Sequence, residues 1–282
     1  MHQRHVNAVQ RTPEEIRNHY LAEKELANQL RTSMPQERAA LYLTVYEELF
    51  RRVPAHPILF RTVTPAQREK VVRWQLQFVR RFLKPSHCFL EVGAGDCALA
   101  LTVAKMVAKV YAIDVSAKLT ESITPPDNFE LRVSDGSSIN VPDNTVDVAY
   151  SNQLMEHLHP DDALRHVQEV YRVLKPGGMY LCVTPNKLGG PYDISRHFDT
   201  EATGLHLKEY SVTESSRLFR SVGFARVRAY IGARGFFFGP PLVAMRAFET
   251  VLEALPHGFR QRMCDSMPLR PVMMIRLAGT KG

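Results

Sequence analysis

The sequence predicts an α/β fold, with a doubly wound, mostly parallel sheet preceded by a helical extension. Two observations carry this prediction. From Cys88 onward, short apolar runs of strand length alternate with segments whose apolar residues recur at helical spacing, the pattern of strand–helix–strand units. Before Cys88, three segments begin with helix-capping signals and continue with helical periodicity. The 282 residues, 45% of them hydrophobic, suffice for one large domain and an accessory segment.

Residues 1–84 are predicted to form the helical extension. A hydroxyl residue followed three positions later by Glu or Gln opens each predicted helix, at Thr12, Ser33 and Thr64. Proline follows Thr12 and Thr64 directly, at the first helical position, where its missing N–H costs nothing. The second and third helices carry apolar stripes to bury, formed by Leu41, Val45 and Leu49 and by Val71, Trp74, Phe78 and Phe82.

Residues 85–282 are predicted to form the α/β domain. The predicted strands cover residues 88–92, 109–114, 129–133, 146–152, 179–183, 224–231 and 272–277, and helices begin near Asp96, Asp161 and Ser211. The connection formed by residues 185–210 is long, and long connections in compact domains are usually functional or disordered. We expect it to be a substrate loop.

A glycine-rich turn follows the first predicted strand. Gly93 and Gly95 allow backbone angles that other residues avoid and let a ligand approach the main chain, and the helix after them offers free N–H groups. The next strand ends in Asp114, 21 residues after Gly93, where a carboxylate can accept both hydrogen bonds of a ribose diol. Together these features predict a nucleoside cofactor at the ligand edge of the sheet.

Two kinds of nucleoside cofactor use this arrangement. The two glycines with Ala98 can be fitted to the dinucleotide fingerprint, which tolerates Ala at its third position. Glu91 argues against a dinucleotide, because it lies two residues before the first glycine and would repel a pyrophosphate. The turn also follows about 85 residues of predicted helix instead of opening a dinucleotide-binding half.

These motifs resemble the class I S-adenosylmethionine-dependent methyltransferases of the small-molecule type, which include the ubiquinone-biosynthesis methyltransferases. The resemblance runs from Cys88 to the C-terminus and is strongest between Phe89 and Asn186. Cys97 departs from the pattern, since many members carry a third glycine there. Further matches are Ser134-Asp135-Gly136 after the third strand, residues 146–152 as the fourth strand, and residues 174–178 before the fifth. The resemblance implies a Rossmann-like sheet of seven strands with the last one antiparallel.

The resemblance also implies the cofactor, S-adenosylmethionine, and the residues around it. The residues expected to bind it are Glu91, Gly93, Ala94 and Gly95 at its methionine end, Asp114 and Val115 at its ribose, Asp135 and Gly136 at its adenine, and Ser151 and Asn152 beside its reactive methyl. Residues 1–84 would serve as a lid over the active site.

Glu156-His157 follows the fourth strand by a few residues, in the segment that passes over the cofactor methyl in the resembling enzymes. A histidine with a pKa near neutrality is suited to take a proton from an attacking hydroxyl, so His157 is the predicted catalytic base. His159 is disfavoured because it precedes Pro160 at the start of the next helix and would face outward. The alternative is that Glu156 and His157 only brace the loop.

The loop formed by residues 185–210 contributes two further candidates. His197 and His206 are predicted substrate-binding residues and serve as fallback bases. The aromatic stretch at residues 235–241 and the apolar helix after it fit core packing, with a lipophilic substrate or a peripheral membrane contact as the alternatives.

The composition limits which kinds of partner the protein is expected to bind and in which cellular compartment it is expected to work. The net charge of +7 without a dense run of Lys or Arg argues against nucleic acid as a partner. No apolar run reaches the length of a membrane span, and the N-terminus lacks the apolar core of a signal peptide. The four cysteines show no metal-ligand spacing, so we expect a cytoplasmic protein with reduced thiols and no metal. The sequence leaves the oligomeric state open.

The predicted function is methyl transfer from S-adenosylmethionine to a small organic acceptor, with oxygen as the nucleophile by analogy alone. Carbon, nitrogen and sulfur atoms of small molecules stay open as acceptors. The acceptor motif of amino-directed nucleic-acid methyltransferases is absent, since the chain reads Ser151-Asn152-Gln153-Leu154 at that place. Two alternatives from other classes remain at this point: a non-catalytic protein that binds S-adenosylmethionine, and a nicotinamide-dependent oxidoreductase.

Overall fold

The computed structural model describes residues 11–60, 64–115, 124–136, 138–233, 235–266 and 268–282. Residues 1–10 lie outside these ranges. The prediction that the N-terminus lacks the apolar core of a signal peptide therefore concerns residues that the structure does not describe. Among the described residues, three α-helices precede the sheet: α1 (Pro13–Thr32), α2 (Pro35–Arg52) and α3 (Pro65–Val79).

The rest of the described chain alternates between strands and helices, as predicted. The strands are β1 (Cys88–Val92), β2 (Lys109–Asp114), β3 (Phe129–Val133), β4 (Val146–Asn152), β5 (Leu174–Pro185), β6 (Arg226–Ala229), β7 (Ile231–Ala233), β8 (Phe236–Phe238) and β9 (Met274–Thr280). The helices are α4 (Ala98–Ala104), α5 (Pro160–Val173), α6 (Val212–Val222), α7 (Leu242–Glu253) and α8 (His257–Cys264).

Seven strands form one sheet in the order β3-β2-β1-β4-β5-β9-β6. β3, β2, β1, β4 and β5 pair in parallel, and β9 is antiparallel to both β5 and β6. This arrangement confirms the predicted seven-stranded, mostly parallel, Rossmann-like sheet. The chain reverses its direction of travel across the sheet between β1 and β4, and the carboxyl ends of those two strands open the crevice where such folds bind ligands.

The sheet is buried on both faces. Along β1, Phe89 belongs to the core cluster shared with α4 and the end of α3, whereas Leu90 belongs to the cluster shared with α5 and α6. Successive strand residues point to opposite faces, so an unbroken apolar run is what a doubly covered strand requires. Packing between the two layers therefore does not explain the carboxylate of Glu91 within this apolar run.

α1 and α2 pack together and cover the loop that follows β5. Leu26, Leu30 and Leu49 form a separate apolar cluster with Leu205 and Leu207 of that loop. The Arg31 guanidinium of α1 adds hydrogen bonds to loop carbonyl oxygens, among them Thr203 at 2.9 Å. This packing joins the N-terminal helices to residues 202–207, on the side where the sheet presents its ligand edge.

A buried ion pair fixes α2 to α5. The Arg38 side chain is 3% exposed and donates to the Asp162 carboxylate at 2.6 and 3.1 Å. Tyr42, one turn along α2, donates its hydroxyl to the same carboxylate at 3.0 Å and accepts from the His159 N–H at 2.8 Å. Three bonds to one buried carboxylate orient the second helix of the extension.

Several boundaries differ from the sequence prediction. The cap of α2 is Met34, not Ser33, because Pro35 takes the first helical position and Glu37 accepts from the Met34 N–H at 2.9 Å. Ser33 instead ends α1 and donates its hydroxyl to Leu30. α4 begins at Ala98, two residues later than expected, because Cys97 before it is left-handed.

The predicted strand at residues 224–231 is divided in two. β6 joins the main sheet, whereas β7 pairs with β8 to form a separate hairpin. At the end of this hairpin, Phe236 is 82% exposed and Phe238 is 66% exposed. Within the described ranges, no helix has the length and apolar character needed to cross a membrane.

Candidate active site

The cofactor edge begins at the turn after β1. Gly93 (φ 72°) and Gly95 (φ 53°) both adopt the left-handed conformation that favours glycine. The N–H groups of Gly93 and Ala94 donate to the Ile113 carbonyl at 2.8 and 3.1 Å and fold the turn onto the end of β2. A Cβ on Gly93 would lie 3.3 Å from Leu154, whereas no described atom lies within 4 Å of a Cβ built on Gly95. The turn is thus open on its Gly95 side.

Cys97 stands where the resembling enzymes often have a third glycine, and its φ of 55° explains that preference. The left-handed conformation costs an L-residue roughly 1–2 kcal/mol. The Cys97 side chain is fully buried among the residues of α4, so it packs although its backbone is unfavourable.

Glu91 is a buried carboxyl group with an incomplete set of partners. It is 5% exposed, and its Oε2 meets no hydrogen-bond donor among the described residues. Burial raises the pKa of Glu91 to about 8, and the negative charges of Asp96 and Asp114 add to that effect. An unpaired buried polar atom is costly, so a cationic ligand group would complete this site.

A cavity of about 110 Å³ lies against Glu91 at the carboxyl ends of β1 and β4. The sheet edge contributes Gly93 and Asn152 to its wall, and α3 contributes Val71 and Gln75. Arg68 of α3 also lines the cavity and pairs with Asp96 of the glycine turn at 2.5 Å. The third helix of the N-terminal extension therefore closes one side of this cavity.

Asp114 lies at the carboxyl end of β2, as predicted, and is half-buried. Its Oδ2 accepts the Gly95 N–H at 2.7 Å, which directs the carboxylate toward the glycine turn. A ribose lying across that turn would meet the carboxylate and the open side of Gly95 together.

Asp135 and Gly136 follow β3 at the same edge. The Oδ1 of Asp135 accepts from the N–H and the hydroxyl of Ser138 at 2.8 and 2.9 Å, so this carboxylate braces its own turn. A Cβ on Gly136 would contact Tyr42 at 3.4 Å and Val115 at 3.5 Å. These two side chains, one from α2 and one following β2, are the apolar surfaces beside the position predicted for the adenine.

Ser151 and Asn152 end β4 but point in different directions. The Ser151 hydroxyl lies in the core, 2.7 Å from the Tyr180 hydroxyl, which in turn lies 2.9 Å from Nε2 of His166. What Ser151 can offer a cofactor is therefore its backbone. Asn152 lines the cavity beside Glu91.

Three polar side chains that follow β4 in the sequence come together and form the second part of the candidate site. Glu156, His157 and His206 each place one possible ligand atom within 4.8 Å of the others. The Lys208 N–H donates to the Glu156 carbonyl at 3.2 Å and joins the loop to this segment. Leu154, two residues before Glu156, is the residue that packs on Gly93, so this group is continuous with the cofactor turn.

Each histidine of this group is held by its Nδ1. Nδ1 of His157 lies 3.0 Å from the Leu205 carbonyl oxygen, an acceptor, so Nδ1 carries the proton and Nε2 has the lone pair. Nδ1 of His206 lies 2.7 Å from a carboxylate oxygen of Glu209. The Glu209 carboxylate also accepts the Tyr192 N–H at 2.7 Å, which fixes its own position.

Burial and charge set the protonation of the group. Desolvation lowers the pKa of His157 to about 4, with a further contribution from His206, so the imidazole is neutral at physiological pH. Burial opposes a charge on His206 as well, but the hydrogen bond to Glu209 and the negative charges of Glu209, Glu156 and Asp193 together outweigh it and raise the pKa of His206. Burial raises the pKa of Glu156 to about 7.

The structure separates the other predicted histidines from this group. His197 is exposed, on a short helical turn that contacts α1, and does not join His206. His159 caps α5, accepting the Asp161 N–H at 3.2 Å. Of the two loop histidines, His206 alone reaches the segment that carries His157.

The chain can now be compared with known proteins. Residues 90–182 match the methyltransferase-domain family. A probable S-adenosylmethionine-dependent methyltransferase of Mycolicibacterium smegmatis is 29% identical over 136 residues, 48% of this chain and 51% of that protein. One of Mycobacterium tuberculosis is 30% identical over 159 residues, 56% of this chain and 54% of that protein. The aligned part thus spans about half the length of these curated relatives.

The chain carries a class I S-adenosylmethionine-dependent methyltransferase domain. A demethylmenaquinone methyltransferase of Symbiobacterium thermophilum is 28% identical over 169 residues, 56% of this chain and 64% of that protein. The predicted family and the predicted cofactor class are therefore confirmed, and the oxidoreductase alternative is set aside.

Solved structures agree on the fold. A methyltransferase of Thermotoga maritima superposes with a TM-score of 0.51 at 16% identity, covering 76% of this chain and 91% of that one. A Haemonchus contortus phosphoethanolamine N-methyltransferase, solved with S-adenosylhomocysteine, gives a TM-score of 0.51 at 17% identity, covering 74% and 52%. At these identities the likeness shows the methyltransferase fold alone.

The cofactor fits the polar groups of this methyltransferase domain. The unpartnered carboxylate oxygen of Glu91 suits the ammonium at the methionine end, and Asp114 suits a ribose. Sequence reasoning expected residues 1–84 to form a lid but did not identify Arg68, Val71 and Gln75 of α3, which line the cavity, because nothing local in that helix indicates what it will cover. It also missed Glu209, although its place three residues after His206 was a usable signal.

Proposed function

We propose that this methyltransferase domain transfers a methyl group from S-adenosylmethionine to an oxygen atom of a small organic acceptor. The observation that supports it most is the unpartnered buried carboxylate of Glu91, facing a cavity between the glycine turn and Asn152. The group of Glu156, His157 and His206 lies along the same segment and offers polar atoms for an acceptor.

The chain's own residues would position the reaction. S-adenosylmethionine, when bound, supplies a methyl group on a positively charged sulfur. An acceptor hydroxyl beside β4 would form a bond to the methyl carbon as the sulfur–carbon bond breaks, leaving that electron pair on sulfur. The proton of the hydroxyl would pass to Nε2 of His157, which carries a lone pair at neutral pH. Holding the two reactants in line is the main contribution expected of the protein.

The contacts of the N-terminal helices support our proposal that residues 1–84 form a lid over the active site. α3 lines the cofactor cavity, and Tyr42 of α2 lies against Gly136. The lid, the substrate loop and the predicted roles of His197 and His206 belong to this proposal. The role of His197 has the least support, because its side chain is exposed and lies apart from the group of Glu156, His157 and His206.

The cofactor assignment is tested at Asp114. Asp114→Ala should weaken S-adenosylmethionine binding by roughly 2–4 kcal/mol, the loss of two hydrogen bonds to a charged acceptor. Titration calorimetry measures this directly, with Asp127→Ala as control, since Asp127 is an exposed residue at the opposite end of β3. Asp114→Asn keeps an acceptor for the Gly95 N–H and separates loss of charge from loosening of the turn. Equal affinities in wild type and both Asp114 variants would overturn the ribose assignment.

We further propose a peripheral contact with lipid, which would suit a lipophilic acceptor. The β7–β8 hairpin exposes Phe236 and Phe238, and α7 exposes Val243 and Val251 to 74% and 64%. The Arg81 guanidinium lies 5.6 Å from the ring of Phe237 on the same hairpin, so a cation accompanies the apolar surface.

A further inference from the structure

We propose that Glu156, His157 and His206 form a binding site for one divalent first-row transition-metal ion beside the methyl-transfer site. Two imidazoles and one carboxylate are a donor set that such ions accept, with positions left for water or an acceptor oxygen. One possible ligand atom of each residue lies within 4.8 Å of the others. Atoms bound to a common ion lie about 2.0–2.2 Å from it, so small side-chain rotations would close the site.

The carboxylate is the observation that points to a ligand. Glu156 has no exposed surface, and its Oε2 accepts the Thr184 hydroxyl at 2.8 Å. Its Oε1 is buried and meets no hydrogen-bond donor among the described residues. Leaving a buried carboxylate oxygen without a partner is costly, and a bound cation would remove that cost.

The histidines are oriented as metal ligands usually are. The Leu205 carbonyl holds Nδ1 of His157, and the Glu209 carboxylate holds Nδ1 of His206. In metal sites, a carbonyl or carboxylate on one ring nitrogen fixes the tautomer and presents the other nitrogen to the ion. No hydrogen bond among the described residues engages Nε2 of either ring, so both nitrogens are open to an ion, which would displace any proton that Nε2 of His206 carries.

A second group of two histidines and one glutamate does not offer free histidine nitrogens to an ion. His19, Glu23 and His56 also lie within 4.8 Å of one another. Both nitrogens of His19 are engaged, by the Arg11 guanidinium at 2.8 Å and by Glu23 at 2.7 Å. Nδ1 of His56 accepts the Ile58 N–H, which leaves the proton on Nε2. The lone pair of each histidine already accepts a hydrogen bond, so this group serves as an internal control.

The proposed ion would sit where the proposed function places the acceptor, and its use in catalysis rests on that function. A hydroxyl bound to a divalent cation has a lowered pKa, so its oxygen could attack without a strong protein base. Coordination by His157 and proton acceptance by His157 use the same Nε2 lone pair. The two roles are alternatives, and metal binding decides between them.

The test is binding of Co²⁺ and Zn²⁺ to the full chain after treatment with a chelator. We expect one ion per chain by titration calorimetry, and visible d–d absorption of Co²⁺ that reports nitrogen and oxygen ligands. Glu156→Gln keeps the shape of the side chain and should weaken Zn²⁺ binding by at least 10²-fold, and His206→Ala should do the same. Glu209→Gln changes the hydrogen-bond partner of His206 and leaves the three proposed ligands in place, and it should weaken Zn²⁺ binding by about 10- to 100-fold. His56→Ala should leave binding unchanged.

Three results would overturn the metal site: no stoichiometric ion, equal binding in Glu156→Gln and wild type, or loss of binding in His56→Ala. The thermal transition of each metal-free variant shows whether it is folded. S-adenosylmethionine binding is measured separately, so failure of the metal site leaves the proposed function standing. In that event His157→Ala, assayed with a competent acceptor, should still lower turnover by about 10²-fold through loss of the base.

Discussion

Glu91 is a buried carboxyl group within the apolar strand β1, at a position where we expect it to bind the cofactor. A charged side chain inside an apolar strand destabilises the sheet unless something pairs with it. Oε2 of Glu91 has no partner among the described residues, and Glu91 lines the cavity beside the glycine turn. The position is explained by the ammonium group that we expect there, because a buried carboxylate gains most from a cation in the same low-dielectric surroundings.

Because burying an ionised Glu91 is unfavourable, the free energy of unfolding of the ligand-free protein should depend on pH. Burial raises the pKa of Glu91 to about 8, above the value near 4.3 expected in the unfolded chain. Between those two pH values the folded protein keeps a proton that the unfolded chain has released, so stability falls as pH rises. Above about pH 8 both states are ionised at this residue, and its contribution becomes constant.

Glu91→Gln removes this titration. Urea denaturation of the ligand-free protein at several pH values from 5 to 9 should show a smaller loss of stability with rising pH in the variant than in wild type. The variant should also bind S-adenosylmethionine more weakly, because the amide carries no charge. Parallel stability curves for the two proteins would show that Glu91 is ionised in the empty site, contrary to this expectation.

At the scale of secondary-structure elements, the attachment of α2 to α5 connects the N-terminal extension to the cofactor site. Arg38 and Asp162 are both buried, and Tyr42 adds its hydroxyl to the same carboxylate. The Tyr42 ring then lies against Gly136, next to the predicted adenine position. An element far from the glycine turn in sequence thus shapes the cofactor site.

Arg38→Ala should destabilise the protein by about 3–5 kcal/mol, because it leaves the Asp162 carboxylate buried without its cation. Denaturant unfolding measures the change, and hydrogen exchange should show faster opening of α1 and α2. Arg51→Ala is the matched control on the same helix, since the Arg51 side chain is 71% exposed and pairs with Glu48 at the surface. Similar effects of the two substitutions would mean that the buried pair does not anchor the extension.

At the scale of the whole molecule, the net charge of +7 and the exposed apolar surfaces of the β7–β8 hairpin and α7 favour an anionic lipid surface. The wild-type chain should co-sediment with vesicles that contain anionic lipid. The double variant Phe236→Ser, Phe238→Ser should partition at least about tenfold less, since each phenylalanine gains about 1.5–3 kcal/mol when buried.

The control is Phe60→Ser, a 53% exposed phenylalanine of the N-terminal extension, which should partition as wild type does. The hairpin side chains are highly exposed, so their replacement is expected to leave the thermal transition nearly unchanged. Equal partitioning of the double variant and wild type would assign the hairpin to another use.

Local signals in the sequence determined the sheet and the cofactor edge. Apolar runs marked the strands because parallel strands buried on both faces must be apolar throughout, and glycine marked the turn because left-handed backbone favours it. The positions of Asp114 and Asp135 at strand ends followed from the strands themselves. The family resemblance of these motifs is confirmed by the match over residues 90–182.

Only the tertiary structure decided which of these residues face a common space. The hydroxyl of Ser151 turns into the core, while Asn152 turns to the cavity, because successive residues of a strand point to opposite faces and the register decides which. His206 lies 49 positions after His157 in the chain and packs against it, whereas His197, nine residues before His206, stays outside. The lining of the cavity by α3 and the closure of α2 over Gly136 depend on long-range packing, which no local periodicity encodes.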